Sequence, residues 1–344
     1  MSDFITKTAK IFFVIFFLLS GSLFVYAQIP ESREVISFKV SPGNPRPADI
    51  VTVSIESFSI DLDKADSIAW LVNNEVVDRG AGVKQIQFQA GRLGSRAVIE
   101  VVVSGTDLGT ILESITIRPT EVDLIWEAKT YTPPFYKGKA LPSSSAEITV
   151  TAIPQFVTSN GNKLKSSELI FTWKKGRKVL GNDSGRGKDT LKMMGPRIFN
   201  STLIQANVSS VGGTLTGKGF AQVSATAPRI VFYENDIILG MKYGNAIGRN
   251  FTLTNEEITV TAHPYFFSGN RRVSSDFEYD WRIDGSSFPS SPEDESSIVL
   301  RQVGEGEGSV TVALSIQSID KILQAARESF SVIFGVGKDT PFNF

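Results

Sequence analysis

Apolar and polar residues alternate along many short stretches of the chain. In IVTVSIE, Val51, Val53 and Ile55 share one face, and Thr and Ser occupy the other. EITVTAIPQF from Glu147 and EITVTAHPYF from Glu257 repeat this alternation and nearly repeat each other. A period of two is typical of a β-strand with one face in a core and the other in water. The pattern therefore predicts an all-β chain.

The same alternation predicts further strands along the chain. One segment, DKILQAARESFSVIF, also fits a helix, because Ile322, Leu323 and Ala326 fall near one helical face. Its place in the repeat favours a strand. The remaining strands are predicted at KQIQFQ from Lys84, RAVIEVVVS from Arg96, ILESITI from Ile111, LIQANVSS from Leu203, FAQVSATA from Phe220, SIVLRQV from Ser297 and SVTVALSIQ from Ser309.

The near-identical decapeptides belong to a unit that occurs three times. Each copy places one tryptophan, Trp70, Trp173 or Trp281, at the start of a hairpin. Each tryptophan is predicted to lie in the structural core of its copy. The turn residues tolerate positive φ angles, as tight hairpins require. They are Asn73-Asn74, Lys175-Gly176 and Asp284-Gly285.

Prolines mark the borders between the copies. Pro119 and Pro228 each precede a matching strand, VDLIWEA or RIVFYEN, and proline stops the previous strand from continuing. The predicted domains are therefore residues 29–118, 119–227 and 228–334, followed by a short tail at 335–344. Because each crossing has little slack, the units should form a semi-rigid rod.

Short strands at regular spacing, with an early tryptophan in the third strand, are typical of a two-sheet antiparallel sandwich. The tryptophan strands resemble those of bacterial immunoglobulin-like and PKD-like surface repeats, as do AGRLGSRAVIEVVV from Ala90 and GEGEGSVTVALS from Gly304. More loosely, the chain resembles exported multi-domain immunoglobulin-like proteins of unknown role from small-genome bacteria. The resemblance implies three tandem immunoglobulin-like β-sandwich domains and a scaffold.

The chain contains no cysteine, so the sandwiches have no disulfide beside their tryptophans. Apolar side chains must fill that space. The candidates are Phe171, Phe199, Phe277 and Tyr279.

The N-terminus carries a targeting signal. Lys7 and Lys10 precede the apolar run IFFVIFFLLSGSLFVYA, which ends at Ala27 with small residues suited to cleavage. Residues 1–27 are predicted to be a cleaved signal peptide, or alternatively an uncleaved membrane anchor. Both readings export the remaining chain to the cell surface or envelope, and membrane contact is expected only through this segment.

The sequence offers little catalytic chemistry. With a formal net charge of −1, the chain has no overall field that would recruit nucleic acid. The one histidine, His263, takes the place of Ile153 in the second copy and is expected to be an edge-strand or partly buried residue. No cofactor or metal is predicted.

Charged clusters are interpreted as solvated loops. Asp61, Asp63 and Asp66 are spaced as in some Ca²⁺ loops, but the second copy has no matching acids. A second acidic group contains Glu293, Asp294 and Glu295. Carboxylates of either group could act as a pair, as in glycoside hydrolysis, but both groups lie in Ser-rich loops. A basic hairpin from Lys174 to Lys178 is expected to keep an edge strand soluble.

Two long connections are the candidate binding loops. They follow the first strand of the second and third copies, and loops of this length are functional or packed elsewhere. Their aromatic and apolar residues would form an adhesive surface if exposed; the alternative is that they pack on the neighbouring domain as an added edge strand. The residues are Tyr131, Phe135, Tyr136, Met241 and Tyr243.

These observations predict a non-enzymatic, exported structural or adhesive protein, a rod at the cell envelope that is accessory to a surface appendage. Its expected partners are envelope or surface proteins, or polysaccharide. The alternatives are a carbohydrate-binding module protein and a membrane-anchored assembly factor.

Overall fold

The computed structural model describes residues 35–335 apart from 270, 274 and 305. These residues form 24 β-strands and no α-helix, which confirms the predicted all-β class. Three 3-10 helices span Leu62–Lys64, Ser166–Glu168 and Gly181–Asp183. The predicted signal or anchor segment and nearly all of the predicted tail lie outside the described residues. In the part of the chain that is described, no helix is long and apolar enough to cross a membrane.

The first unit is a sandwich of two antiparallel sheets. The sheets have the strand orders β1-β2-β5 and β4-β3-β6-β7, and apolar side chains from both fill the space between them. The strands are β1 (Ser37–Ser41), β2 (Ile50–Glu56), β3 (Ser67–Val72), β4 (Glu75–Gly80), β5 (Gln85–Gln89), β6 (Ala97–Thr106) and β7 (Gly109–Ile117).

The second unit repeats this arrangement. Its sheets have the orders β8-β9-β13 and β11-β10-β14-β15, with β12 paired to β10. The strands are β8 (Glu121–Ala128), β9 (Glu147–Gln155), β10 (Leu169–Lys175), β11 (Lys178–Val179), β12 (Gly185–Arg186), β13 (Thr190–Met194), β14 (Ser201–Ser210) and β15 (Thr216–Ser224).

The third unit repeats it again with two added strands, β17 beside β16 and β18 parallel to β24. Its sheets have the orders β17-β16-β19-β22 and β18-β24-β23-β20-β21. The strands are β16 (Arg229–Asp236), β17 (Gly240–Ala246), β18 (Asn250–Thr252), β19 (Glu257–Tyr265), β20 (Phe277–Ile283), β21 (Ser286–Phe288), β22 (Ser297–Arg301), β23 (Gly308–Ser318) and β24 (Ala325–Phe334).

One tryptophan lies at the centre of each sandwich, and all three are buried. Each indole Nε1–H donates to a backbone carbonyl near the last strand of the opposite sheet, so the polar end of the ring is satisfied. The acceptors are Val83 for Trp70 (2.8 Å), Lys188 for Trp173 (2.9 Å) and Glu295 for Trp281 (3.0 Å). The immunoglobulin-like architecture follows from these repeated sheets and cores, while the predicted residue bounds of the domains stay a prediction.

The ambiguous segment near the end of the third unit is a strand. β24 covers residues 325–334 and pairs with β23 along its whole length, as the repeat predicted. Ile322 and Leu323 precede it in an exposed loop.

Two local predictions are wrong. Phe199 does not fill a core, because it is 94% exposed in the loop between β13 and β14. In the second hairpin Lys175 pairs with Lys178, so the turn residues are Gly176 and Arg177. Gly176 has a φ of 57°, which glycine adopts without a steric penalty.

Candidate functional site: the junction between the second and third units

The connection between β8 and β9 leaves its own sandwich and lies on the third unit. Thr130 forms an isolated antiparallel bridge with Ser268. The Tyr131 N–H donates to the Phe267 carbonyl at 2.8 Å, and the Tyr131 carbonyl accepts from the Phe266 N–H at 2.8 Å. Backbone hydrogen bonds of this kind fix the connection in one register on the neighbouring unit.

The side chain of Tyr131 continues this contact into a buried pair. Its hydroxyl lies 2.5 Å from Nδ1 of His263, and the two rings stack with centroids 5.9 Å apart. His263 is only 1% exposed and lies in β19, which has a partner strand on each side. The prediction of an edge-strand or partly buried histidine is therefore wrong.

Aromatic rings surround the pair. The hydroxyls of Tyr233 and Tyr265 are 2.7 Å apart, and both residues are buried. Tyr136 from the second unit packs edge-on against Tyr265 and Phe266. Edge-to-face rings contribute about 0.5–1.5 kcal/mol each beyond their buried area. The junction is thus held by specific ring geometry in addition to backbone bonds.

The junction, together with Tyr233 and Tyr243 of the third unit itself, explains why β19 is buried on both faces. In the matching strand β9, Ile153 points away from the core and is 36% exposed, whereas His263 at the equivalent position is covered. Phe266 follows β19 with a φ of 66°, a conformation that residues other than glycine rarely adopt. This turn places Phe266 in the junction and Phe267 in the core of the third unit.

A polar contact lies at a second point of the same junction. The Gln324 side chain is fully buried, and its Nε2 donates to the Ser144 carbonyl at 2.7 Å and to the Ser268 hydroxyl at 2.8 Å. Its Oε1 accepts from the Ser268 N–H at 2.9 Å. Because the amide is satisfied on both sides, this contact orients one unit against the other.

An ion pair borders the histidine. Arg272 Nη1 lies 2.6 Å from the Asp294 carboxylate and also contacts the Ser296 hydroxyl. Burial opposes ionisation of Asp294, but hydrogen bonds from Ser296 and Ser297, together with the Arg272 pair, hold the pKa of Asp294 below its ordinary value. One carboxylate of the Glu293–Asp294 group is therefore occupied by an internal partner.

Burial also sets the protonation of the junction. It is the largest cause that lowers the pKa of His263 to about 4, and the positive charge of Arg272 lowers it further. Burial likewise raises the pKa of Tyr131 above its ordinary value. Nε2 of His263 is buried and makes no hydrogen bond to the described residues, so it lacks a partner in either neutral tautomer, and protonation would add a positive charge to this unsatisfied site. At neutral pH the pair is uncharged.

Most of the predicted loop residues belong to this junction. Tyr131 is buried in it, and Tyr136, Met241 and Tyr243 are partly buried beside it. Phe135 is 85% exposed, with its ring edge toward Tyr243 at 6.0 Å. Four of the five residues, Tyr131, Tyr136, Met241 and Tyr243, therefore pack at the contact between the domains, as the alternative to an exposed adhesive surface predicted.

Sequence reasoning missed the receiving side of the junction, Tyr233, Tyr265, Phe266 and Gln324. A signal was available for Tyr265, because the two near-identical decapeptides differ where Gln155 is replaced by Tyr265. A bulky ring at a position that the other copy keeps polar indicates a covered face.

Two carboxylates of the first acidic cluster, Asp61 and Asp63, have local partners. Asp61 caps the 3-10 helix at residues 62–64 and pairs with Lys64, and Asp63 pairs with Lys84 at 2.8 Å. Over the described ranges, no group of three or more His, Asp or Glu side chains is arranged to hold a metal ion.

The first and second units are joined by a similar device. Arg46, between β1 and β2, lies 3.7 Å from the Glu121 carboxylate and 3.5 Å from that of Asp123. The Thr120 N–H donates to the Pro45 carbonyl at 3.1 Å. At both junctions, the connection between the first two strands of one unit lies on the next unit.

The described residues are thus tandem immunoglobulin-like sandwiches joined by docked loops. Neither a protein-family model nor a curated protein matches the chain. Among solved structures, it is similar to three N-terminal domains of the outer capsid protein Hoc of bacteriophage RB49, at 12% identity, covering 88% of this chain and 98% of that one, with a TM-score of 0.26.

Two further similarities concern other multi-domain chains. The fibronectin(III)-like modules of Clostridium thermocellum CbhA match at 8% identity over 55% of this chain and 95% of theirs, with a TM-score of 0.26. Immunoglobulin domains 1–4 of Sidekick-1 match at 11% identity over 87% of this chain and 98% of theirs, with a TM-score of 0.19. Because these scores are low, the fold assignment depends on the chain's own sheets.

Proposed function

We propose that this chain is a non-enzymatic, exported structural or adhesive protein that forms a semi-rigid rod at the cell envelope. The observation that carries the proposal is the docked connection of residues 129–145, which ties the second unit to the third through backbone bonds and buried rings. Domains linked only by a flexible segment move independently by default. A chain that fixes its domains instead is suited to hold something at a set distance.

The polar chemistry of the described residues supports a structural role. His263 is hydrogen-bonded to a tyrosine, and Asp294, the partly buried carboxylate whose charge acts on the histidine, is bonded to Arg272, Ser296 and Ser297. A general base must reach a substrate or nucleophile. Here the titratable groups of the junction reach each other, so their contribution is to orientation and stability.

Binding of polysaccharide is a weaker candidate. Such a surface needs aromatic faces that are open to solvent beside polar groups. Tyr131 and Tyr136 direct their rings to the third unit, and Phe135 alone among the predicted loop residues is largely exposed. We therefore propose protein partners in the envelope.

Export is tested by expressing the full chain in a bacterial host and labelling intact cells with an amine reagent that does not cross membranes. We expect labelling before lysis, and a mass that begins at Gln28 if the segment is cleaved or at Met1 if it is an anchor. Crosslinking of the same cells, followed by mass spectrometry, would name the neighbouring proteins.

The matched control replaces Leu18 and Leu19 by arginine, which interrupts the apolar segment at a cost of about 2.5–3.5 kcal/mol per residue. This variant should be labelled only after lysis. Labelling of the unchanged chain only after lysis would contradict the proposed location.

A further inference from the structure

The hairpin between β16 and β17 presents three consecutive aliphatic side chains to solvent. Ile237 is 92% exposed, Ile238 90% and Leu239 78%. The turn is well defined, because the Asp236 carboxylate accepts from the N–H groups of Ile238 and Leu239 at 2.8 and 2.9 Å. A fixed, contiguous apolar tip on a soluble domain is typical of an interaction site.

This tip has the same place in the third unit as the docked connection has in the second. Val122 pairs with Pro154 in the second unit, and Ile230 pairs with Pro264 in the third. Counting forward from these equivalent pairs, the tip at residues 237–239 matches residues 129–131, which lie on the next unit. In the first and second units, the connection that follows the first strand docks onto the next unit. In the third unit, the apolar residues 237–239 occupy this same place.

The tip lies at the end of the third unit that faces away from the second. β16 starts at the junction, where Arg229 pairs with Tyr265, and ends at Asp236. At roughly 3.3 Å per residue, the seven intervening steps place the tip about 23 Å from the junction. Over the described residues, no other unit covers it.

At its outer end, which faces away from the second unit, the first unit exposes a residue in the place of the one on which the docked loop packs in the third unit. The core residues of β2, which end with Ile55, match those of β19, which end with Ala262. Three positions further on, the first unit has Phe58 and the third has Tyr265. Tyr265 is buried under the docked loop, whereas Phe58 is 99% exposed.

We propose that the hairpin tip at residues 237–239 docks onto the outer end of the first unit in a second copy of this chain, beside Phe58. The contact would repeat between copies the arrangement seen between units. It joins two different surfaces, so a pair of copies leaves one surface of each kind free, and the assembly continues as an open filament unless its rotation closes it into a ring. The inference goes beyond a single rod and does not require export.

The charge around the tip favours a protein occupant over a lipid surface. Asp236 lies at the base of the turn, and its hydrogen bonds from Leu239 and Ile238 lower its pKa. Glu234 lies two positions before Asp236 in β16, and one cation, Lys242, pairs with both carboxylates. Segments that insert into anionic membranes instead carry an excess of Lys and Arg.

The absence of cysteine provides a direct test. The full chain carrying both Phe58→Cys and Ile238→Cys is purified, oxidised with copper phenanthroline and run on a non-reducing gel. Since the two positions lie at opposite ends of one molecule, a disulfide between them must join copies. We expect a ladder of multiples of the chain mass that collapses on reduction.

The matched control pairs Ile238→Cys with Phe199→Cys, because Phe199 is an equally exposed phenylalanine away from the outer ends. It should give no ladder, and neither single variant should pass the dimer. Sedimentation of a cysteine-free Ile238→Asp variant should show less association than the parent, with an unchanged melting temperature.

Several outcomes would overturn the inference. One is a paired variant that gives no more crosslinking than the Phe199 control. Another is dimerisation of the Ile238→Cys chain alone as efficient as the ladder, which would mean a symmetric contact between two tips. Crosslinking that needs lipid vesicles, or that captures only a protein of different mass, would assign the tip to another occupant.

Discussion

The hydroxyl of Tyr131 in the second unit lies 2.5 Å from Nδ1 of His263 in the third. The two residues are 132 positions apart in sequence and both are buried, so the contact exists only when the two units are docked. A buried polar pair of this kind favours one packing of the domains, because another packing that kept both groups buried would leave them without partners.

Removing the hydroxyl should weaken the docked state. In Tyr131→Phe, the ring is kept but Nδ1 of buried His263 loses its partner, which costs about 1–3 kcal/mol. The measurement is urea unfolding followed by tryptophan fluorescence, and the loss should be confined to the transition that includes the third unit.

Phe135→Ala is the control for that variant, because the side chain belongs to the same loop and is mostly exposed. A change of no more than about 0.5 kcal/mol is expected. If both variants lost the same stability, the effect would belong to the loop and not to the hydrogen bond.

The stability of the junction should depend on pH in a defined direction. Folding lowers the pKa of His263 from an ordinary value of 6.5 to about 4, so between these values the unfolded chain binds a proton that the folded chain does not. Above pH 6.5 the ring is neutral in both states and the unfolding free energy does not depend on it; as the pH falls toward 4, protonation of the unfolded chain progressively lowers the stability of the fold. The full shift corresponds to about 3 kcal/mol.

His263→Ile copies the residue of the second unit and tests the assignment. This variant should lose the component of the pH dependence that lies between 6.5 and 4, whatever its absolute stability. Unfolding free energies measured across this window in both chains give the comparison. An undiminished slope in His263→Ile would assign the dependence to other groups.

A pair of glycines separates backbone strain from close packing at the first junction. Gly94 and Gly82 have φ angles of 80° and 73°. A Cβ at Gly94 would lie 2.9 Å from the Val157 side chain of the second unit, whereas nothing lies within 4 Å of one at Gly82. Gly94→Ala should therefore cost more stability than Gly82→Ala, by about 1–3 kcal/mol. Equal losses of unfolding free energy in the two variants would mean that the Val157 side chain moves aside without a measurable energetic penalty.

The tryptophan bonds should matter as well as the burial. Trp173→Phe removes the donor to the Lys188 carbonyl and leaves a cavity, so a loss of about 2–4 kcal/mol is expected in thermal or urea unfolding. Trp126→Phe is the comparison, because that ring is partly exposed beneath Lys139 and its cation–π contact contributes about 0.5–1 kcal/mol. A smaller loss at Trp173 than at Trp126 would contradict this account of the core.

The sequence predicts the sandwiches because their information is local and repeated. Val51, Val53 and Ile55 alternate with polar residues, and each tryptophan recurs in the same strand, so strand identity and the core can be deduced without coordinates. Phe199 shows where this reasoning fails. It lies in a loop, where no alternation of apolar and polar residues indicates whether a side chain is buried or exposed.

The junction could be predicted only in part. Its loop was identified from its length and aromatic content, but the receiving surface depends on contacts between residues far apart in sequence. Nothing in the alternation of β19 separates His263 from an ordinary outward-facing residue, because the rings that cover it, Tyr131 and Tyr243, come from other parts of the chain and meet it only in the folded, docked protein. Gln324 lies in a turn whose sequence gives no sign of a partner in another unit.

The central claim, that docked loops hold the second and third units in one arrangement, is tested most directly by a spin-label distance. Lys192→Cys and Glu278→Cys place one label on an exposed position of each unit in a chain without native cysteine. Double electron–electron resonance spectroscopy should give a single narrow distribution of distances between the two labels, and this distribution should broaden when Tyr131→Ala is added. A broad distribution in the chain with native Tyr131 would contradict the account.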